Sequence, residues 1–167
     1  MTQELHALRQ RLLLQGAASL SDVDLREVLS QVSDLLRAQA SRQHTEVRLL
    51  TEGACIVRAD RDQLVQVVLG IAINGLQALS EGGNLVLAVE HRGASCGMRI
   101  ENDGPPIPAE LLDRVFDPFV TSRDDGTGLG LSTAWRIVED HGGRLEVENI
   151  ERGVAFHVWL RDGALTP

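Results

Sequence analysis

Between Asp60 and Leu79 the residues Leu64, Val68, Ile71, Gly75 and Leu79 recur every three or four positions, the spacing of one apolar face on a helix. Asp60 stands where a capping carboxylate belongs, and Gly82–Gly83 stops the segment. A helix this long and this apolar needs a broad partner surface. Two further helical patterns flank it. Leu25, Val28, Leu29, Val32, Leu35 and Leu36 form a stripe behind Asp24, with Glu27 placed to reach back in a capping box. Leu131 to His141 is a third long helix, closed by Gly142–Gly143, and Ala109 to Val115 is a short one. Strand-like runs lie at Glu46–Thr51, Ile56–Ala59, Leu85–His91, Met98–Asn102, Arg144–Asn149 and Val154–Leu160. Helices and hairpin strands mix without regular βαβ alternation. The expected fold class is therefore α+β, a two-layer sandwich of a mixed sheet with helices on one face.

A chain of 167 residues is one domain with at most a short extension. Its net charge of -8 opposes nonspecific nucleic-acid binding, and 3% aromatic residues with no Tyr supply no platform for stacked bases, so no nucleic-acid partner is expected. Cys55 and Cys96 are far apart and form no CxxC, which predicts free, buried thiols in a reducing cytoplasm. No run of about 18 apolar residues is present, and Met1 to Gln10 lacks an apolar signal core. The expected location is cytoplasmic, compatible with a membrane-anchored parent.

Three constellations carry chemistry. The first is Gly126-Thr127-Gly128-Leu129-Gly130-Leu131-Ser132, directly before a helix. Glycines let a backbone approach a ligand, and the free N–H groups of a helix start favour anions, so the physical reading is a phosphate cradle. The spacing is neither a Walker A loop nor a dinucleotide fingerprint, and on its own such a run is equally a plain flexible connector. The second is Asn74, in the middle of the apolar helix on the face shared by Gln63, Val67, Gly70 and Gln77. Its amide oxygen can bind a Mg²⁺ that also bridges phosphates, or can simply be a satisfied half-buried amide. The third is Asn102-Asp103-Gly104-Pro105-Pro106-Ile107-Pro108 after a strand, a turn by composition. A strand-end amide or carboxylate facing a pocket can also read the exocyclic amine of adenine.

Together, and in this order with Phe116-Asp117-Pro118-Phe119 before the glycine run, these segments resemble the ATP-binding domain of bacterial sensor histidine kinases. That domain belongs to the gyrase–Hsp90–histidine kinase–MutL ATPase group. Asp60 to Leu79 looks like the family's N box, Asn102 to Pro108 its first glycine box, Phe116 to Phe119 its F box. Gly126 to Leu131, followed by Ile137-Val138-Glu139-Asp140-His141-Gly142-Gly143, looks like the second glycine box and its helix. The resemblance runs from about Val23 to Leu160 and implies the Bergerat-type ATP-binding fold. It divides the chain into 1–20, the tail of a dimerisation hairpin helix and a linker; 21–162, the ATP-binding domain; and 163–167, a C-terminal tail.

The resemblance further implies ATP and Mg²⁺ as cofactors. Asn74 would ligate Mg²⁺ and Gln77 would lie near the phosphates. Asn102 stands where most relatives place an Asp that accepts from the adenine amine, Gly104 would let the base approach, and Ile107 would line the pocket. Phe116 and Phe119 would anchor a lid. Arg123 would approach the terminal phosphate, while Gly126, Thr127, Gly128, Leu129, Gly130 and Leu131 would wrap the phosphates. The chain departs from the pattern at Gly70, where relatives carry another Asn; at Pro106, in place of a glycine; and at Ala155, where many carry a Thr supporting the adenine contact.

The family's phosphoacceptor is a His followed at once by an acidic residue. His6 precedes Ala7 and His44 precedes Thr45, and His91, His141 and His157 read as structural. The acceptor hairpin is thus expected outside this chain. The implied activity is protein-histidine kinase. Bound Mg-ATP donates its γ-phosphoryl group to a histidine on the parent's dimerisation hairpin, for relay to a response regulator. The parent is expected to be a homodimer and this piece a monomer. Gly70, Asn102 and Ala155 motivate a second reading, a degenerate nucleotide-binding or scaffolding module. A water-activating ATPase of the gyrase or MutL type is disfavoured, because position 70, where its acidic residue would sit, is glycine.

Overall fold

The computed structural model describes residues 19–120 and 130–161. The chain opens with β1 (Ser21–Asp24), then α1 (Leu25–Arg42), β2 (Glu46–Leu50), β3 (Ile56–Ala59) and α2 (Arg61–Leu79). A hairpin of β4 (Asn84–Arg92) and β5 (Ser95–Asn102) follows, then a single turn α3 (Ala109–Leu112), α4 (Gly130–Asp140), and a closing hairpin of β6 (Arg144–Ile150) and β7 (Gly153–Leu160).

Five strands form one mixed sheet in the order β2-β4-β5-β7-β6, with β2 parallel to β4 and the other pairs antiparallel. Alternation divides its faces. Leu85, Leu87, Met98, Ile100, Leu145, Phe156 and Val158 point to one side and join Leu29, Val32, Leu36, Leu64, Val68, Ile71 and Val138 of the three long helices in a single core. The other side carries Glu90, Arg99, Glu101, Glu146, Glu148, His157 and Trp159, where His157 sits between Glu90 (Nδ1–Oε1, 2.6 Å) and Glu148 (Nε2–Oε1, 3.0 Å). The α+β sandwich with helices on one face is the architecture the periodicity predicts.

Local chemistry explains where the helices begin. Asp60 caps α2 by accepting from the Gln63 N–H at 3.1 Å, leaving fewer orphan donors in the first turn. Asp24 caps α1, accepting from the Arg26 N–H at 3.0 Å. Among the described residues its second partner is not Glu27 but the Arg26 guanidinium (2.7 Å), which holds the Asp24 carboxyl below its usual range. The α2 helix is long and apolar enough to span a membrane by composition. The fold accounts for that property, since α2 lies in the core, in contact with α1, α4 and the sheet. His141 fastens the ends of α2 and α4 together. Its Nδ1 donates to the Ile137 carbonyl (2.7 Å) and its Nε2 accepts from the Asp60 N–H (3.1 Å), so it is structural, as expected.

One expectation is corrected. Cys55 and Cys96 are not free thiols but a disulfide, with Cα atoms 5.8 Å apart. The sheet causes the meeting. Cys96 begins β5 on its helix-side face, and Cys55 lies just before β3, in the loop leading back from β2. Their sequence separation of 41 hides this proximity. A strand absent from the expected runs, β1, begins directly after the segment expected as a linker and pairs antiparallel with β3 in a separate two-stranded sheet. Val23 enters the core from it. Residues 1–18 and 162–167, where the hairpin tail and the C-terminal tail were expected, lie outside the described residues.

Candidate functional site

The end of β5 and the middle of α2 meet over the helix-side face of the sheet. Asn102 is the last residue of β5, in register with Leu85 of β4 and Val154 of β7, and is only 4% exposed. Its Oδ1 accepts from the Gly104 N–H at 3.0 Å, closing an Asx turn that bends the chain away from the sheet. A Cβ on Gly104 would lie 2.9 Å from the Asn102 Oδ1 and 3.3 Å from the Ala78 carbonyl of α2. A side chain there would press on both, so glycine lets the turn close against α2. A Cβ on Gly75 would lie 3.4 Å from the Asn102 Nδ2, so Gly75 is the point on α2 that faces the amide.

Asn74 precedes Gly75 and stacks one turn before Ala78 on α2, half-buried. Gln77 is exposed, three residues on. The structure therefore brings Gly75, Asn102 and Gly104 together, with Asn74 and Gln77 on the same helix. Gly70, one turn earlier on α2, faces the start of α4. A Cβ there would lie 3.4 Å from the Gly130 carbonyl, so the end of the glycine run lies against the expected metal-binding helix. Gly130 is the first residue of α4, and Leu131 packs half-buried against the core. Arg123, Gly126, Thr127, Gly128 and Leu129 lie outside the described residues.

Asp103 does not face this region. Its carboxylate accepts from the Asn84 backbone N–H (2.7 Å) and side-chain amide (2.8 Å), and these bonds hold it below the usual carboxylate range. The charge next to Asn102 thus pins the start of β4. Ile107 is half-buried and clamped through its backbone. Its N–H donates to Asn149 Oδ1 (2.8 Å), and its carbonyl accepts from Asn149 Nδ2 (2.9 Å). Asn149 is a positioning residue that the sequence reading passed over. Its signal was a polar side chain at the inward position that follows Leu145 and Val147 on β6. Gly153 was also missed. Its φ is +119°, and a Cβ there would run into the Asn102 carbonyl.

Of the two phenylalanines expected to anchor a lid, Phe116 packs edge-on against Phe156 at 6.3 Å between centroids, and Phe119 is turned outward. It is 75% exposed with φ +67°, a left-handed backbone that turns its side chain out of the core. Ala155 is not the strand neighbour of the base-reading position. It pairs with Glu101 and Glu148 on the opposite sheet face, and Val154 is the residue beside Asn102.

A surface cleft elsewhere, lined by Glu27, Ser30, Gln31, Asp34, Leu35 and Arg61, is a different feature. Arg61 is about 20 Å along α2 from Asn74, at about 1.5 Å per residue.

Residues 59–164 match the family described as histidine kinase-, DNA gyrase B-, and HSP90-like ATPase. The chain belongs to this ATPase family. Its curated relatives include sporulation kinase D of Bacillus subtilis (strain 168), 33% identical over 139 residues that cover 81% of this chain and 28% of the relative. The sensor histidine kinase ZraS of Escherichia coli (strain K12) is 32% identical over 144 residues, covering 85% and 31%. The chain thus spans about a third of the length of these relatives. Among solved structures, the catalytic domain of histidine kinase ThkA superposes with a TM-score of 0.80 at 32% identity, covering 86% of this chain and 96% of that one. A structure of ThkA in complex with the response regulator protein TrrA matches with a TM-score of 0.80 at 27% identity, covering 99% and 49%. The fold is therefore that of a histidine kinase catalytic domain.

Proposed function

We propose that the domain binds Mg-ATP between α2 and the Gly104 turn, and that within its parent it donates the γ-phosphoryl group to a histidine of a separate dimerisation hairpin. The acceptor nitrogen forms the new P–N bond, the bond from the β-phosphate oxygen to the γ-phosphorus breaks, and ADP leaves. A response regulator then takes the phosphoryl group. The observation that carries this reading is the meeting of Gly75, Asn102 and Gly104 in a fold matched to a histidine kinase catalytic domain.

The residues fit the ligand. Gly104 lets the turn close on α2, and Asn102 supplies a buried polar edge beside it. Asn74 would hold Mg²⁺ through its amide oxygen. Bound there, the ion would neutralise charge on the phosphates. Gly130, at the start of α4, would bring backbone N–H groups toward the phosphates.

Calorimetric titration with Mg²⁺ and a non-hydrolysable ATP analogue tests the reading. Saturable binding at micromolar concentration is expected, with a loss of at least tenfold in Asn74→Ala, whose folding is checked by circular dichroism. Gly70 and Asn102 favour the second reading, a degenerate module. No binding at millimolar nucleotide would establish that reading and refute the first.

A further inference from the structure

Pro105-Pro106-Ile107-Pro108 follows the Gly104 turn. Proline has no N–H, so Ile107 carries the single backbone donor of this segment. Asn149 takes that donor and supplies one in return. Its Oδ1 accepts from the Ile107 N–H at 2.8 Å, and its Nδ2 donates to the Ile107 carbonyl at 2.9 Å. The two Ile107 groups need one acceptor and one donor, which fixes the orientation of the amide. One side chain thus does what a neighbouring strand would do, pairing both backbone groups of one residue. Asn149 is exposed, so replacing it removes these two bonds and little packing.

Register places this clamp opposite a second one. Asn102 of β5 and Asn149 of β6 are each paired with Val154 of β7, so they stand on one face of the sheet, two strand spacings or about 10 Å apart. Asn102 holds the near end of the segment, through the Gly104 N–H at 3.0 Å. Asn149 holds the far end. Between them the chain passes the end of β7 beside Gly153, where a Cβ would stand 2.7 Å from the Asp103 Cα. The prolines restrict the dihedrals of the segment and of the residues before them. A stiff piece pinned at both ends has one position, whereas one pinned at Gly104 alone can swing. The Asn149 bonds therefore set where the segment lies relative to α2, which the Gly104 turn approaches at Ala78.

We infer that Asn149 is a positioning residue for nucleotide binding, holding the Gly104–Ile107 segment in its binding-competent place through the Ile107 backbone. This inference rests on the nucleotide reading above and deepens it. Apparent affinity falls with the fraction of molecules in the competent arrangement. The chain, Asn149→Ala and Asn149→Asp are each titrated by calorimetry with Mg²⁺ and a non-hydrolysable ATP analogue, beside amide hydrogen exchange of the nucleotide-free proteins. In Asn149→Ala, exchange at Ile107 should quicken and the analogue should bind more weakly, each by about tenfold, with exchange in α2 unchanged. Asn149→Asp is isosteric but turns an oxygen toward the Ile107 carbonyl, so it should weaken binding too, an effect that a role in packing alone would not produce. Unchanged affinity in either variant overturns the inference, as does an Ile107 amide that exchanges no faster in Asn149→Ala. Affinity lost together with protection across α2 also overturns it, because that marks general loosening. Should Asn149→Ala fail to fold, Asn149→Asp decides alone. Failure of the nucleotide reading looks different, because the natural chain would then bind no analogue while the Ile107 amide still responds to the substitution.

Discussion

Reducing the Cys55–Cys96 disulfide should destabilise the domain more than any single surface change. The bond closes a loop of 41 residues that contains β3, α2 and β4. Cross-linking a loop that long lowers the entropy of the unfolded chain by an amount worth about 4 kcal/mol at 25 °C in the chain-entropy account. For a domain of this size that corresponds to about 10 °C in melting temperature. Both cysteines are nearly inaccessible, at 1% and 5% exposure, so reductant should act slowly on the native protein and quickly in denaturant. The assay is a pair of calorimetric melts, oxidised and fully reduced, with Cys55→Ala/Cys96→Ala as the chemical control. The reasoning is refuted if the two melts agree within about 2 °C. It is equally refuted if oxidised protein, unfolded without reductant, titrates as two free thiols.

Gly153→Ala should cost at least about 3 kcal/mol in urea unfolding, since it combines a φ of +119° with a collision against the Asn102 carbonyl. It should also weaken nucleotide binding by displacing the end of β5. Asp103→Ala should change the acid limb of stability. The Asp103 carboxyl is depressed in the folded state by its bonds to Asn84, so its contribution is full above the ordinary carboxylate range and fades as pH falls through the folded value. The gap in melting temperature between the natural chain and Asp103→Ala should accordingly shrink from pH 6 to pH 3, and a gap constant with pH would contradict it. His141→Ala leaves the Asp60 N–H without its partner, while the Ile137 carbonyl keeps its bond from the backbone N–H of residue 141. Chemical denaturation should show a loss of about 1–3 kcal/mol, with nucleotide affinity unchanged.

Periodicity alone determined the long helices and six of the seven strands to within a few residues, because a 3.6-residue or two-residue repeat is written in the order of the apolar side chains. It placed the Asp24 and Asp60 caps for the same reason, since capping is settled within three residues of chain. The ordered set Asn74, Asn102–Gly104 and Gly126–Gly130 was legible because a cradle for phosphate and base needs particular residue types at particular points along the chain. Tertiary structure alone decided whatever depends on register between distant segments. It joined Cys55 to Cys96, put Val154 rather than Ala155 beside Asn102, and set Asn149 as the clamp on Ile107. It also turned Phe119 outward and gave the Asp103 charge to Asn84. A one-residue shift in strand pairing would reverse each face, and pairing partners 40 or more residues apart leave no local mark on either segment.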